Sequence, residues 1–429
     1  MRKHRTKQAV GKARSRTGRP ASSAESRSPE VDLDPRRTLL QVVLAQGFGS
    51  VAALLEADRE ALCGSPRRWQ AERQAYRYGY DEGQLVLGGR KVRVRKPRVR
   101  RAGGKEIPLP SWKQFASEDP LRHRVLEQVA AGVSARDYSR TLEEVPEELG
   151  ATVPSRSSVS RRFVAVTEKR VQEFLKRPLT DLDLPVLMMD GRGMGDHLLV
   201  IALGIDRNGE KHVLGVVEGS TESEAVARRL LENLIGRGLP VERARLFVID
   251  GGKGLRKAIK QVFGSWALVQ RCQVHKLRNV LEHLPAGKRA WMRAAIRRAW
   301  SAATAAQAKS KLRELARQLG DDHPGAAASL LEGLDETVTL LGLGSSGWLL
   351  KILSTTNAIE NVQGTLARVS RNVKRWRDGE MALRWGVTGL LQAQKKFRRL
   401  KGHRDLPQLL AALDALLGTA TLDTKVQVA

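Results

Sequence analysis

Two textures alternate along the chain. From residue 184 short apolar runs follow one another: LPVLMMD (184–190), HLLVIALGI (197–205) and KHVLGVVEG (211–219). Runs of this length, bounded by polar turns and lacking a 3.6-residue period, predict strands buried on both faces. Asn208-Gly209 between the second and third predicts a type I′ hairpin turn. Thr221 and Glu224 read as a capping box ahead of the helix ESEAVARRLLENLIG (222–236). The strand ARLFVID, the helix KGLRKAIKQVF, the strand WALVQRC and the helix VHKLRNVLEHL complete the series.

Three antiparallel strands followed by right-handed β-α units predict a mixed sheet in an α/β fold. This order of elements is the ribonuclease H-like one, with the first and fourth strands adjacent at the sheet centre. Residues 285–350 are rich in Ala, Arg and Leu without strand character. They read as an all-helical insertion, with one long helical stretch over 289–320. In 354–379, Ile359, Val362, Leu366, Val369 and Val373 form an apolar stripe at helical spacing. Core elements therefore resume over 351–400, and a C-terminal helix and tail follow over 401–429.

Before the sheet the pattern is helical and basic. Residues 1–37 read as a disordered basic arm. Helical patterns run through Leu39, Leu40, Val43 and Leu44, and again over 51–62, with Gly47 and Gly49 between them. In 84–99, Leu85 and Leu87 precede Gly88-Gly89, and Val92 and Val94 alternate with Arg93 and Arg95; this predicts a β-hairpin with one basic face. Two helix candidates, 130–145 and 153–166, have Ser134 and Ser155 as N-caps. Over 120–170 they suggest a helix-turn-helix whose second helix brings Arg156, Arg161 and Arg162 to a DNA groove. An ordinary αα-hairpin with basic exposed positions fits the same pattern. The expected organisation is thus an α-rich DNA-binding region with a β-hairpin (38–178) ahead of the sheet domain (184–284).

Composition sharpens this picture. A length of 429 residues suggests two to four domains, and 41% apolar residues suffice for their cores. The formal charge is +29, with basic clusters recurring at 2–19, 90–101, 156–170 and 368–377. Dispersed positive charge of this size points to a polyanion, most simply nucleic acid. Cys63 and Cys272 are the only cysteines, too few for a disulfide framework or a four-cysteine zinc site. No apolar stretch is long enough to span a bilayer, and the N-terminus lacks the apolar segment of a secretory signal. The expected location is the cytoplasm, on the nucleoid.

Two strands are expected to end alike, MMDG at Gly191 and VIDG at Gly251. Turn chemistry alone explains either Asp-Gly pair. If the first and fourth strands are parallel neighbours, however, Asp190 and Asp250 end about 5 Å apart. Glu360 lies one residue off the apolar stripe of its helix and can face the sheet's end. Hard divalent cations prefer carboxylate oxygens, and two of them about 3.5–4 Å apart serve phosphodiester chemistry. Asp190, Asp250 and Glu360 are therefore the candidate catalytic and metal-holding residues, for two Mg²⁺ (or Mn²⁺) ions. His275 opens a helix one strand beyond Asp250 and is a further catalytic candidate. With Cys272 it also resembles half a zinc site, but no second Cys/His pair sits nearby. GRGMGD and GGKG lack the spacings of dinucleotide and Walker loops.

Taken together, the stretches 74–100, MMDG, VIDGGKGLRKAI, QRCQVHKLRNV and STTNAIENVQGTLARVSRNVKRW resemble the mutator-type transposases of bacterial insertion sequences, a DDE transposase family. The resemblance covers most of the chain after residue 35. It implies a ribonuclease H-like core, an Asp190–Asp250–Glu360 triad, and Mg²⁺-dependent strand cleavage and strand transfer at element ends. The implied partners are double-stranded DNA, as terminal inverted repeats and as target, and further copies of the chain in a dimer or higher oligomer. Arg371, Lys374 and Arg375 would grip backbone phosphates. Trp376 would stack on a base or belong to the core. A ribonuclease H-like nuclease without strand transfer and an inert DNA-binding regulator are the rival readings.

Overall fold

The computed structural model describes residues 35–66, 75–87, 89–101, 103–117, 120–142 and 150–426. The expected basic arm falls outside these as far as residue 34. Helix α1 (Pro35–Cys63) runs unbroken through Gly47 and Gly49, where two helices were expected. A mid-helix glycine costs only about 1 kcal/mol relative to alanine, and no cap or proline stops the chain there. Strands β1 (Ala75–Leu87) and β2 (Arg90–Arg101) form the hairpin, with Leu85 opposite Val92 and Leu87 opposite Arg90. It extends well beyond 84–99, and a short β3 (Glu106–Ile107) adds to its edge. Val94 and Val99 are buried with Leu55 of α1 and Val92 is buried too, while Arg93 and Arg95 are exposed on the opposite face.

Helices α2 (Pro110–Ser117), α3 (Pro120–Ala130) and α4 (Arg156–Lys176) lead to the sheet. Ser155 caps α4 as expected, its hydroxyl accepting the Ser158 N–H at 3.3 Å. The expected helix over 130–145 is instead a turn and one 3₁₀ turn as far as residue 142. Gly132, at φ +93°, ends α3. Ser134 bonds Asp137 in a local turn rather than capping an α-helix. Residues 143–149 of that expectation lie outside the described residues. Phe163 of α4 meets Trp385 at 4.7 Å between ring centroids, which ties this region to the sheet domain.

The sheet comprises β4 (Val186–Met194), β5 (His197–Ile205), β6 (Lys211–Gly219), β7 (Arg245–Ile249) and β8 (Ala267–Arg271), in the order β6-β5-β4-β7-β8. The first three pair antiparallel; β7 and β8 add on in parallel. The β5–β6 loop is longer than a two-residue turn. Gly209 donates to the Asp206 carbonyl, and Asp206 to that of Glu210. The Asp206 carboxylate accepts the N–H groups of Asn208 and Glu210 and so holds the wider loop.

Side-chain parity divides the strands between two cores. Leu187, Met189, Phe247 and Ile249 pack under α5 (Glu224–Gly236) and α6 (Lys253–Phe263). Val186, Met188, Leu246 and Val248 face the other layer. After α7 (Gln273–Glu282) comes a helical segment: α8 (Ala286–Trp300), α9 (Ala305–Gly320), α10 (Pro324–Leu331), α11 (Thr339–Gly342) and α12 (Gly347–Leu353). The long helix expected over 289–320 breaks into α8 and α9 because Thr304 caps a new start. Helices α13 (Asn357–Ser370), α14 (Gly379–Gln394) and α15 (Leu406–Val426) complete the second layer. The apolar stripe buries Ile359, Val362, Leu366 and Val369. Val373 lies beyond the end of α13. No helix among the described residues is long and apolar enough to cross a membrane.

Candidate functional site

Register decides where the acids fall. The parallel pairing of β4 with β7 runs Val186–Leu246, Leu187–Phe247, Met188–Val248 and stops. Asp190 is two residues past Met188, and Asp250 two past Val248. They stand level on neighbouring strands, about 5 Å apart. By parity both face the layer of Met188 and Val248, which α13 covers. Asp190 was expected to end its strand, but β4 continues against β5 to the Met194–His197 pair. The β4–β5 hairpin outruns β7, so Asp190 is terminal only on its β7 side.

Asp190 is buried and fully engaged. Gly191 N–H donates to its Oδ1 at 2.9 Å, and Gln363 Nε2 donates to its Oδ2 at 2.9 Å. Gln363 also reaches the Gly191 carbonyl at 3.3 Å, pinning α13 across the end of the sheet. Asp250 Oδ1 accepts the Gly252 N–H at 2.8 Å.

A further acid, which the sequence reading missed, joins them. Glu222 lies between β6 and α5. The helix cap is Ser223, which accepts the Val226 N–H at 3.3 Å, and not Thr221. The capping-box reading fails by two residues, and Glu222 is left free of the helix. Its carboxylate wedges between the two Asp-Gly steps. A Cβ at Gly191 would overlap Glu222 Oε2, and one at Gly252 would overlap Oε1, with Asp250 Oδ1 3.3 Å from that same point. Each aspartate is followed by glycine, or in the second case by two, and the absent side chains make room for a third carboxylate. An acid directly ahead of the helix after the third strand was the available signal.

Crowding raises the proton affinity of these acids. Asp190 is pushed up to about 6, first by burial and then by the Asp250 charge. Glu222 is pushed up to about 7 by burial, then by Asp250 and Asp190.

Glu360 sits in the first turn of α13 at the rim of this cluster. Thr356 Oγ1 donates to its Oε1 at 2.6 Å, and His275 Nδ1 lies 3.9 Å from the same oxygen. Thr356 Oγ1 is also 3.3 Å from His275 Nδ1 and 3.4 Å from the buried Cys272 Sγ. The hydrogen bond to Cys272 raises the His275 pKa against the opposing effect of burial, with Glu360 and Asp250 adding to it. Burial pushes the Cys272 thiol up, but hydrogen bonds with His275 and Thr356 outweigh it and the net shift is down. The fold thus brings Asp190 and Asp250 together directly and sets Glu360 and His275 beside them. Among the described residues, no three His, Cys, Asp or Glu side chains are gathered closely enough, as they stand, to hold a metal ion.

The basic candidates are spread over three surfaces. Arg93 and Arg95 are exposed on the hairpin, Arg95 stacking over Tyr80 at 3.9 Å from the ring centroid. Arg156 and Arg161 are exposed at the start of α4, while Arg162 is half-buried and bonded to Ser158. Lys374 and Arg375 are exposed in the segment after α13. Arg371 Nη2 and Asn372 Nδ2 reach the Gly132 carbonyl, at 3.5 and 2.6 Å, so Arg371 also ties α13 to the end of α3. Trp376 is half-buried, packed on the core and over the β4–β5 turn, where a Cβ on Gly195 would lie 2.6 Å from its Cδ1. Packing accounts for this tryptophan.

Residues 34–399 match the family described as "Transposase, Mutator family". The chain belongs to this family. Among its relatives is the transposase for insertion sequence element IS256 in transposon Tn4001 of Staphylococcus aureus, 29% identical over 70% of this chain and 77% of that protein. The transposase for insertion sequence element IS406 of Burkholderia multivorans is 25% identical over 80% of this chain and 89% of its own length. The transposase for insertion sequence element IS1081 of Mycobacterium tuberculosis is 30% identical over 57% and 59%.

Proposed function

We propose that this chain is a DDE transposase that cleaves DNA at the ends of an insertion sequence and joins the freed ends to target DNA. The observation that carries this reading is the level pair Asp190 and Asp250, wedged by Glu222 and capped by the helix of Glu360, in a member of the Mutator transposase family. The strand order β6-β5-β4-β7-β8, antiparallel then parallel, supports a ribonuclease H-like core. Residues 38–178 are the proposed DNA-end-binding region, with Arg93, Arg95, Arg156, Arg161 and Arg162 on backbone or base edges, and 285–350 the insertion. The partners are double-stranded DNA, as terminal inverted repeats and target, and further copies of the chain. The proposed setting is the nucleoid.

The donor set suits hard divalent cations: oxygen ligands crowded enough that burial and mutual repulsion raise two of their pKa values. Asp190, Asp250 and Glu360, with Glu222 alongside, would hold two Mg²⁺ (or Mn²⁺) ions, drawing inward to do so. When bound, such ions lower the pKa of an attacking water or 3′-hydroxyl and offset charge on the scissile phosphate. The residues themselves supply the geometry. Gln363 orients Asp190 through Oδ2, the Gly252 N–H orients Asp250, and Thr356 orients Glu360. With a pKa of about 7, Glu222 can hold a proton at neutral pH when no cation offsets its neighbours. His275, whose proton affinity is raised by its hydrogen bond with Cys272, sits beside Glu360 where its imidazole can meet a phosphate.

Product analysis tests the reading. The purified chain, Mg²⁺, DNA carrying the element's ends and a target plasmid should yield 3′-hydroxyl ends and then joined molecules. Cut ends without joints would reduce the proposal to a nuclease, and binding without cutting would leave only a regulator.

A further inference from the structure

We infer that the cleft between α6 and the segment 332–336 seats the sugar–phosphate backbone of a DNA strand as it leaves the acidic site. This rests on the function proposed above. The cleft has a volume of about 640 Å³ and begins at Gly251, the residue after Asp250. Five cations line it, Lys253, Arg256, Lys257, Lys260 and Arg271, against two carboxylates, Glu332 and Glu336.

Four of those cations form one stripe. Lys253, Arg256, Lys257 and Lys260 recur at helical spacing on α6, while Leu255, Ala258 and Ile259 of the same helix are buried on its other side. A solvated helix face also carries charge, but it does not ordinarily close over a cleft or carry one sign alone. Three of the four are held by neighbours, Arg256 by Glu336 at 2.5 Å, Lys257 by Glu224 at 2.7 Å and Lys260 by the Ala267 carbonyl at 2.6 Å. Lys253, nearest Asp250, is exposed and holds no hydrogen bond or ion pair among the described residues.

Arg271 supplies an independent observation. It is only 6% exposed, yet its Nε has no hydrogen-bond partner among the described residues. Its Nη1 and Nη2 are anchored to Glu332, at 3.1 Å to the carbonyl and 3.2 Å to Oε2. The Nε edge is turned to Gly251, whose missing side chain leaves room there; a Cβ would overlap it. That edge is packed against Gly251 and held by Glu332, so Arg271 fixes a positive charge at the head of the cleft rather than offering a free donor.

Length favours a strand over a single anion. From Lys253 to Lys260 the helix rises about 10 Å at ~1.5 Å per residue, the span of about three nucleotides at ~3.4 Å each. Among the described residues no aromatic side chain lines the cleft, so bases find no stacking platform there and the contact is with phosphates.

Lysine footprinting on the full-length chain tests this directly. The chain is acetylated in chelator with and without a duplex spanning one element end and its flank, and modification is read by mass spectrometry. Lys253 and Lys257 should be protected several-fold, and inorganic phosphate at equal phosphate concentration should leave them reactive. Lys253→Gln with Lys257→Gln should keep the wild-type melting temperature and reduce the salt slope of binding to that duplex by about 2, near 0.9 per phosphate contact. If Lys374 is protected while Lys253 and Lys257 are not, the DNA lies elsewhere; the cleft assignment falls and the transposase reading stands. Protection by phosphate alone makes this a small-anion site and overturns the strand assignment. If no lysine is protected and the same duplex is not cut in a parallel reaction supplied with Mg²⁺, the parent reading fails and takes this one with it.

Discussion

Removing the Glu222 charge should stabilise the metal-free chain above neutrality. The folded state raises this carboxyl from an ordinary 4.5 to about 7 by burial and by the charges of Asp250 and Asp190. The folded chain therefore holds the proton more tightly than the unfolded chain. That contribution is fully present below the unfolded value and is lost as pH rises through about 7. Each pKa unit is worth about 1.4 kcal/mol. Glu222 is half-buried, so water screening reduces the full value to about 1–2 kcal/mol. Glu222→Gln should melt about 1–2 °C above wild type at pH 8 in chelator, and the gap should close as pH falls toward 5. Asp190 is raised by burial and Asp250 and is coupled to Glu222, so removing the Glu222 charge also eases Asp190 and widens the gap in the same direction. Thermal unfolding from pH 5 to 9 measures the gap. Adding Mg²⁺ at pH 8 should stabilise wild type more than the variant, because the cation binds only the folded acids. A variant that melts below wild type at pH 8, or a gap independent of pH, refutes the placement of Glu222 among the acids.

Other consequences follow from the same contacts. Gly252→Ala should fold almost normally, because φ is −53° and the obstructing group is the movable end of Glu222; displacing that carboxylate should reduce DNA cleavage to the level of Glu222→Gln, and full activity would contradict this. Gly254→Ala meets backbone instead, Glu222 O at 2.6 Å and Glu224 N at 2.9 Å, so denaturant melts should register a loss of about 1–3 kcal/mol. Gln363→Leu removes the donor to Asp190 Oδ2 and favours the protonated acid; the acid limb of the cleavage–pH profile should move upward, and an unmoved limb would separate Asp190 from the rate. His275→Ala should melt within a few degrees of wild type yet lose most strand transfer, whereas unfolding of both it and Cys272→Ser, together with bound zinc in wild type, would make the pair structural.

The path from sequence to site was legible where period and order carry information. The run of apolar segments and helical patterns anticipates the mixed sheet, and parity with parallel register then brings Asp190 and Asp250 level. What stayed hidden depends on choices between near-equal local solutions. Thr221 and Glu224 satisfy a capping-box pattern, but Ser223 also caps well, and that two-residue difference frees Glu222. Gly47 and Gly49 are weak helix breakers, which the 29-residue α1 passes through. The 130–142 stretch has helical composition, yet Gly132 at φ +93° and the Ser134–Asp137 turn hold it out of the α conformation. Gln363 was concealed because its role depends on α13 crossing the end of β4, a tertiary contact that no local pattern encodes.

The central claim, that DNA is cut at this group of acids, is tested most directly by acid-to-amide substitution read on two axes. Asp190→Asn, Asp250→Asn and Glu360→Gln are each compared with wild type for single-turnover cleavage of an element end in Mg²⁺ and for binding of the same DNA. The account predicts that cleavage is abolished in all three while binding is kept or tightens, since a removed carboxylate no longer repels phosphate. Near-wild-type cleavage by any one of them would contradict the account and take that residue out of the chemistry.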